Sequence, residues 1–358
     1  MEFCLNLSHH SWTRETDQGS VVSRTLETVH LADRVGLDSV WLSEDPDGWD
    51  AFAVLAAAAR STERVRLGTG VTNPYLRHPN LLAMSVATLD RLSEGRAFLG
   101  LGRGQPEWYG RRLGYDTGSP LQVLSETVDL LQQWWQPPYR ASVDGYFQVK
   151  DWPHAFGPAR NPPIYLAALG PKAIDLAAAK FDGLMMSEFA SESFLRGLVD
   201  DLRARLAASG RSFETFPIFV RTAIEVTDDA GPALERRKNL IALINALPGM
   251  SRHMVVDGFD VPAIMRRVRE AMRTDEVLAQ GGAFIDMRRV GNFEAARDAI
   301  PTELVDAVSY VGSAEKIRGK LERLASIGIS HVFVSPPPDL DTQSFTEMLS
   351  SIRPRACP

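Results

Sequence analysis

Gly68-Thr69-Gly70-Val71-Thr72-Asn73-Pro74-Tyr75-Leu76-Arg77-His78-Pro79 is the stretch that decides how this chain is read. It follows the alternating apolar positions Val65 and Leu67 and precedes a strongly helical segment, so it leaves a strand and enters a helix. Glycine at the carboxyl end of a strand lets the backbone approach a flat ligand or adopt conformations closed to other residues. Pro79 suits the first helical position, where its missing N–H is not needed. Turn chemistry alone accounts for every residue type here. The functional reading comes from the place: α/β enzymes put their chemistry at strand exits inside a strand–helix repeat.

Working outward, strands are expected over 2–8, 39–43, 65–70 and 96–101, and helices over 21–35, 49–60, 79–92 and 121–135. Leu82, Val86 and Leu89, then Leu124, Val128, Leu131 and Trp135, recur at helical spacing. A β-hairpin over 139–149, turning at Asp144-Gly145, interrupts the rhythm within an insertion of about 136–162. Strands at 163–168, 183–187, 216–226 and 331–335 resume it, with helices from Pro171, over 192–209 and 314–327, and after Asp341. A long helical insertion, 230–311, separates the seventh and eighth strands. Eight strands alternating with helices predict a (β/α)8 TIM barrel, one domain over 1–358, in preference to a doubly wound sheet.

The chain has 358 residues, 44% hydrophobic and 23% charged, which is the composition of a soluble globular protein. A net charge of −6 disfavours nucleic acid or an anionic membrane as the main partner. Cys4 and Cys357 make neither a disulfide framework nor a metal-ligand set, so a reducing cytoplasm is the expected compartment. The amino terminus reads as a strand and not a signal peptide, and the apolar run 51–59 is too short to cross a bilayer.

The strand exits carry the candidate chemistry. They read Ser8-His9-His10, Ser43-Glu44-Asp45, Gly70-Val71-Thr72-Asn73, Gly102-Arg103-Gly104-Gln105, Ala167-Ala168-Leu169-Gly170-Pro171-Lys172, Ser187-Glu188 and Ser335-Pro336. Small residues at three exits suit a planar ligand with a phosphate tail. They do not suit a ring of metal ligands, and adjacent His9 and His10 point to opposite faces of a strand, so no metal site is expected. Glycines 100, 102 and 104 lack the first, third and sixth spacing of a dinucleotide fingerprint. The helix opened by Pro171, with Lys172, is either an anion site or a plain helix start. Glu44 and Asp45 are neighbouring carboxyls that can split their pKa values and supply a proton, Glu44 being slightly favoured; Asp45 or Asp47 can instead cap the next helix. Trp49 is either core or one wall of a substrate site.

Ser43-Glu44-Asp45 with Trp49, the 68–79 stretch, Leu99-Gly100-Leu101-Gly102-Arg103-Gly104 after Ser93-Glu94-Gly95-Arg96, and Ala167-Ala168-Leu169-Gly170-Pro171-Lys172-Ala173 together resemble the luciferase-like oxidoreductases. The wording around Thr72 to Pro79 is most similar to the deazaflavin branch, which includes the methylenetetrahydromethanopterin reductases. That resemblance implies a barrel oxidoreductase moving hydride between coenzyme F420 and an organic substrate, the alternative being an FMN-dependent monooxygenase that uses reduced flavin and oxygen. It implies a homodimer and a non-prolyl cis peptide between Gly70 and Val71, pressed against the cofactor ring. Gly70, Val71, Asn73, Gly102, Arg103, Gly104, Ala167, Ala168, Leu169, Gly170 and Lys172 would then face the cofactor, and Glu44, Asp45, Trp49 and Gln105 the chemistry. In deazaflavin sugar-phosphate dehydrogenases, Asp45, Trp49 and Gln105 match a His base, a Trp and a Glu acid; the amide of Gln105 cannot donate that proton. A flavin-binding barrel without catalysis is the third reading.

Overall fold

The computed structural model describes residues 1–9, 18–45, 48–282 and 284–355, the side chains at 106–108, 284 and 285 excepted; His10, Asp47 and Cys357 lie outside the described residues. Among these residues eight parallel strands close on themselves in the order β1 (Glu2–Leu7), β2 (Ser39–Leu42), β3 (Arg66–Thr69), β4 (Ala97–Leu101), β7 (Ile164–Ala167), β8 (Gly183–Met186), β9 (Ile218–Val226) and β11 (His331–Val334). The hairpin strands β5 (Arg140–Asp144) and β6 (Gln148–Pro153) pair only with each other, and short β10 (Val311–Gly312) pairs in parallel beside the end of β9. Helices α1 (Val21–Val35), α2 (Ala51–Ala59), α3 (Pro79–Leu92), α5 (Pro120–Trp135), α6 (Pro171–Lys180), α7 (Glu192–Ala208), α14 (Ala314–Ile327) and α15 (Thr342–Ile352) surround the strands. This is the TIM barrel expected from the strand–helix rhythm.

Two local differences have clear causes. A helix the periodicity missed, α4 (Pro106–Leu113), follows β4; Gly110 and the Arg111-Arg112 pair leave it little apolar pattern. The cap of α2 is Asp50, whose side chain accepts from Ala53 N at 3.1 Å, and not Asp45.

The barrel interior is filled by Cys4, Trp41, Phe98, Tyr165, Met185, Phe219 and Phe333. This plug explains glycines that the sequence suggested were cleared for a ligand. A Cβ on Gly68 would strike the Phe98 ring, one on Gly70 the Asn6 amide and Trp41, and one on Gly100 the Thr69 carbonyl. These three positions are glycine because protein atoms already fill the space. Below the plug, at the amino ends of the strands, Arg66 Nη2 lies 2.7 Å from Asp38 Oδ2 and Nη1 donates to Tyr165 Oη at 3.0 Å. His331 Nε2 stands 3.8 Å from Asp38, and burial pulls that imidazole down to about 4.

The insertion after β9 runs through α8 (Gly231–Leu240), a π-turn at Ile241–Asn245, α9 (Val261–Met272), α10 (Thr274–Ala279), α11 (Phe284–Val290), α12 (Phe293–Asp298) and α13 (Thr302–Ala307). It has its own core, including Ile241, Met254, Val268, Met272 and Leu304. It reaches across to α4, where Arg112 pairs with Asp286 at 2.7 Å and Arg111 donates to Leu278 O at 3.3 Å. No helix among the described residues is long and apolar enough to cross a membrane.

Candidate active site

The exit of β3 is stitched to strands on both sides. The Gly70 carbonyl accepts from Asn6 Nδ2 and Ser43 Oγ, both at 2.9 Å, and the Gly70–Val71 peptide is cis. Val71 O accepts from Glu44 N at 3.2 Å, and Thr72 O from Gly102 N at 2.9 Å. Val71 and Ala167 lie on the aromatic plug, and a Cβ on Gly102 would come within 2.8 Å of Val71 Cγ2. Small apolar groups therefore form a floor at the open end, with the backbone beneath them pinned by hydrogen bonds.

Glu44 is buried at this rim, with its carboxylate fully engaged. Arg77 Nε donates to Oε1 at 2.8 Å and Oε2 at 2.9 Å, Arg77 Nη2 lies 2.7 Å from Oε1, and the Thr72 hydroxyl donates to Oε2. Arg77 also reaches Asp50 Oδ1 at 2.6 Å and lies over the Phe52 ring. The guanidinium and the hydroxyl together occupy both oxygens of the carboxylate. Of the two carboxyls, Glu44 thus has the surroundings of a structural clamp.

Asp45 differs. Its side chain is 41% exposed, it accepts from Ser8 Oγ at 3.2 Å, and His9 Nδ1 is 3.9 Å away. Half-buried Trp49 donates Nε1–H to Ser43 O at 2.9 Å and meets His9 edge-on, with ring centroids 5.9 Å apart. The structure thus brings Asp45 and Trp49 together and adds His9, weighed in the sequence only as a metal ligand.

On the next exit, exposed Arg103 precedes Gly104, whose φ of +59° and lack of Cβ let the Tyr109 ring lie against it. Gln105 occupies the N-cap position of α4 without a side-chain cap bond. One turn on, Tyr109 places its hydroxyl 3.3 Å from Asn73 Nδ2, joining the β3 and β4 exits. Burial pushes that phenol up, and Asp45 and Glu44 add to the effect. Asn73 Oδ1 meanwhile accepts from Tyr75 N and Leu76 N, both at 3.1 Å, which shapes the turn before α3.

Across the mouth, Ala167, Ala168, Leu169 and Gly170 are half-buried and Lys172 is exposed. Gly170 caps α6 with no side-chain hydrogen bond; Pro171 has no N–H, and Ala173 N and Ile174 N both donate to Gly170 O at 3.0 Å, so the anion-facing character of this end comes from the helix dipole and the neighbouring cations. Arg252 of the insertion approaches Gly170, its Nη1 lying 3.7 Å from where a Cβ would be. Among the described residues no cluster of His, Cys, Asp or Glu is arranged to hold a metal.

The sequence profile of the luciferase-like monooxygenases matches residues 1–331. The chain belongs to this family. A Mycobacterium tuberculosis protein that carries the name coenzyme F420-dependent oxidoreductase is 31% identical over 338 residues, covering 86% of this chain and 89% of its own. The 5,10-methylenetetrahydromethanopterin reductase of Archaeoglobus fulgidus is 26% identical, covering 90% and 92%. The solved F420-dependent tetrahydromethanopterin reductase of Methanopyrus kandleri superposes with a TM-score of 0.74 at 21% identity, covering 98% of each chain, and establishes the shared fold.

The luciferase-like barrel also shows what the sequence did not offer. Arg77 and Thr72 lie in the quoted stretch, yet their partner Glu44 is 33 residues from Arg77, and pairing at that separation leaves no periodic signal. Tyr109 was hidden with α4. Asn6 had a readable signal: it is the polar residue of β1 sharing the inward face with Cys4.

Proposed function

We propose that this chain is an F420-dependent oxidoreductase that transfers hydride between the deazaflavin and a small organic substrate. The observation that carries the proposal is the match, over most of both chains, to relatives named for F420. The mouth fits such a group: a planar ring can lie on Val71 and Ala167 beside Gly102 and Asn73. Its anionic tail can reach the 167–172 turn, where the α6 dipole, Lys172 and Arg252 supply positive potential. Arg103 and Gly104 border the ring from the β4 exit, with Leu169 and Ala168 opposite. When bound, the deazaflavin supplies the two-electron chemistry.

The chain's own residues position and protonate. Glu44 holds the β3 turn through Arg77 and Thr72, and its role is structural. Asp45, open to the mouth, exchanges the substrate proton. Trp49 walls the substrate beside it, and Gln105 contributes an amide for orientation and no proton. Loss of acid chemistry at Gln105 argues against sugar-phosphate oxidation.

The expected homodimer is supported by the outer face of α2 and α3. Helix α2, Ala51–Ala59, carries no charged residue, and a groove of about 390 Å³ lies between it and α3 beside exposed Leu81 and Met84. Light scattering that returns the 39.5 kDa mass of one chain would remove the dimer. A cytoplasmic location accords with the absence of any membrane-crossing helix among the described residues.

The test of function is the ligand carried by the purified protein, identified by absorption spectrum and mass, followed by oxidation of reduced F420 with a panel of carbonyl and activated-alkene acceptors. Co-purified F420 and turnover are expected. Co-purified FMN and oxygen-dependent turnover would assign the protein to the monooxygenases.

A further inference from the structure

Ser8 and His9, at the exit of β1, both address Asp45 at the exit of β2. Ser8 Oγ donates to Asp45 Oδ2 at 3.2 Å, and His9 Nδ1 stands 3.9 Å from the same oxygen. The imidazole is fixed in place. It is 8% exposed, Trp49 packs edge-on against it, and Trp49 is itself held by its bond to Ser43 O. Gly48 completes the slot, because any Cβ there would collide with Nδ1 and Cε1 of the ring. The geometry therefore places a buried imidazole behind a carboxylate that remains open to the mouth.

We propose that Asp45 and His9 act as a dyad that holds and delivers the substrate proton, Asp45 touching the substrate and His9 positioning and charging it from behind. The inference rests on the proposed F420 chemistry over this mouth. In reduction, a bound reduced deazaflavin would supply the hydride that forms a C–H bond at one atom of a substrate double bond. The π bond breaks and its electron pair moves to the other atom. A proton held on His9 would pass to Asp45 once their 3.9 Å separation closes, and from Asp45 to that pair, leaving carboxylate and neutral imidazole, and solvent at exposed Asp45 would restore the proton. Oxidation runs the same steps in reverse. A carboxylate beside an imidazole favours the imidazolium and sets the ring's orientation. Among the described residues the charged groups beside this corner include Glu44 and Asp50, which share Arg77, and the titratable Tyr109 phenol on α4, while Gly48 and Trp49 are neutral.

The test is a pH titration of the full chain labelled at histidine, followed by NMR, with the His9 resonance assigned by its loss in His9→Gln. The quantity compared is the His9 titration midpoint in the unaltered chain and in each variant. In Asp45→Asn, an exposed and nearly isosteric change, its proton affinity should fall on the order of tenfold. Saturating F420, with binding read separately by fluorescence, should move the His9 line. A second variant, Gly48→Ala, should displace the ring and weaken the coupling to Asp45. The proposal is overturned if His9 titrates identically in the unaltered chain and Asp45→Asn, or if its line ignores bound F420. Failure of the chain to bind F420 at all would instead sink the cofactor reading, while the Asp45→Asn comparison still decides the dyad.

Discussion

Two arginine–carboxylate pairs bracket the barrel, one at each end. At the closed end Arg66 holds Asp38 at 2.7 Å, beneath the aromatic plug and beside Tyr165 and His331. At the open end Arg77 holds Glu44 at 2.7 Å and Asp50 at 2.6 Å. The chemistry is the same, and the surroundings separate the roles. The closed-end pair seals the strand bottoms, far along each strand from the exits. The open-end pair fixes the turn that forms the mouth, through the Thr72 hydroxyl, and the start of α2, through the cap Asp50. A buried ion pair therefore does not mark a catalytic group; the groups its partners touch decide what it does.

This contrast can be broken in graded ways. The largest effect belongs to neither pair. Gly100→Ala would drive a Cβ into the Thr69 backbone carbonyl, which cannot yield, so little folded protein should be recovered in a solubility and circular-dichroism assay. Next is Arg66→Ala. Stranding the Asp38 carboxylate should cost about 3 kcal/mol in urea unfolding, with F420 affinity of the folded fraction unchanged. Arg77→Ala should cost a similar amount and also weaken F420 binding on the order of tenfold, about 1.4 kcal/mol, because the 70–73 turn loses its anchor. Equal cofactor affinity in the two variants would erase the distinction between the ends.

Acid sensitivity sharpens the closed-end half. His331 is held down to about 4 in the folded chain against an ordinary value of 6.5, so the unfolded chain binds the extra proton between those limits. Stability should accordingly fall as pH drops from 6.5 to 4, by about 3 kcal/mol, and level off below 4. His331→Gln should flatten that slope in unfolding midpoints taken across the window. The smallest effect is expected at the mouth, where Asp45→Asn at an exposed position should shift stability by no more than about 0.5 kcal/mol.

The parts of the fold legible in sequence were the helices with regular apolar spacing and the short apolar runs set between them. All eight barrel strands and the helices α1, α3, α5 and α14 fall where the alternating or helical spacing put them. Short elements without such spacing were not legible: α4, with Gly110 inside it, and the six- and seven-residue helices of the insertion. Of the residues named from the strand exits, Asp45, Trp49, Val71, Asn73 and Ala167 gather at one end of the barrel. Their physical reasons were less accessible. Gly70 and Gly100 are glycine for Trp41, Asn6 and Thr69, which come from other strands. Glu44 reads as a reactive carboxyl until Arg77 is placed on it, and His9 as a bystander until Gly48 and Asp45 are folded beside it.

The central claim, that this mouth takes a deazaflavin, is tested most directly by parallel equilibrium fluorescence titrations of the purified chain with F420 and with FMN. A saturable response to F420, with none to FMN over the same concentrations, is the predicted result. Saturation by FMN with no response to F420 would contradict the account.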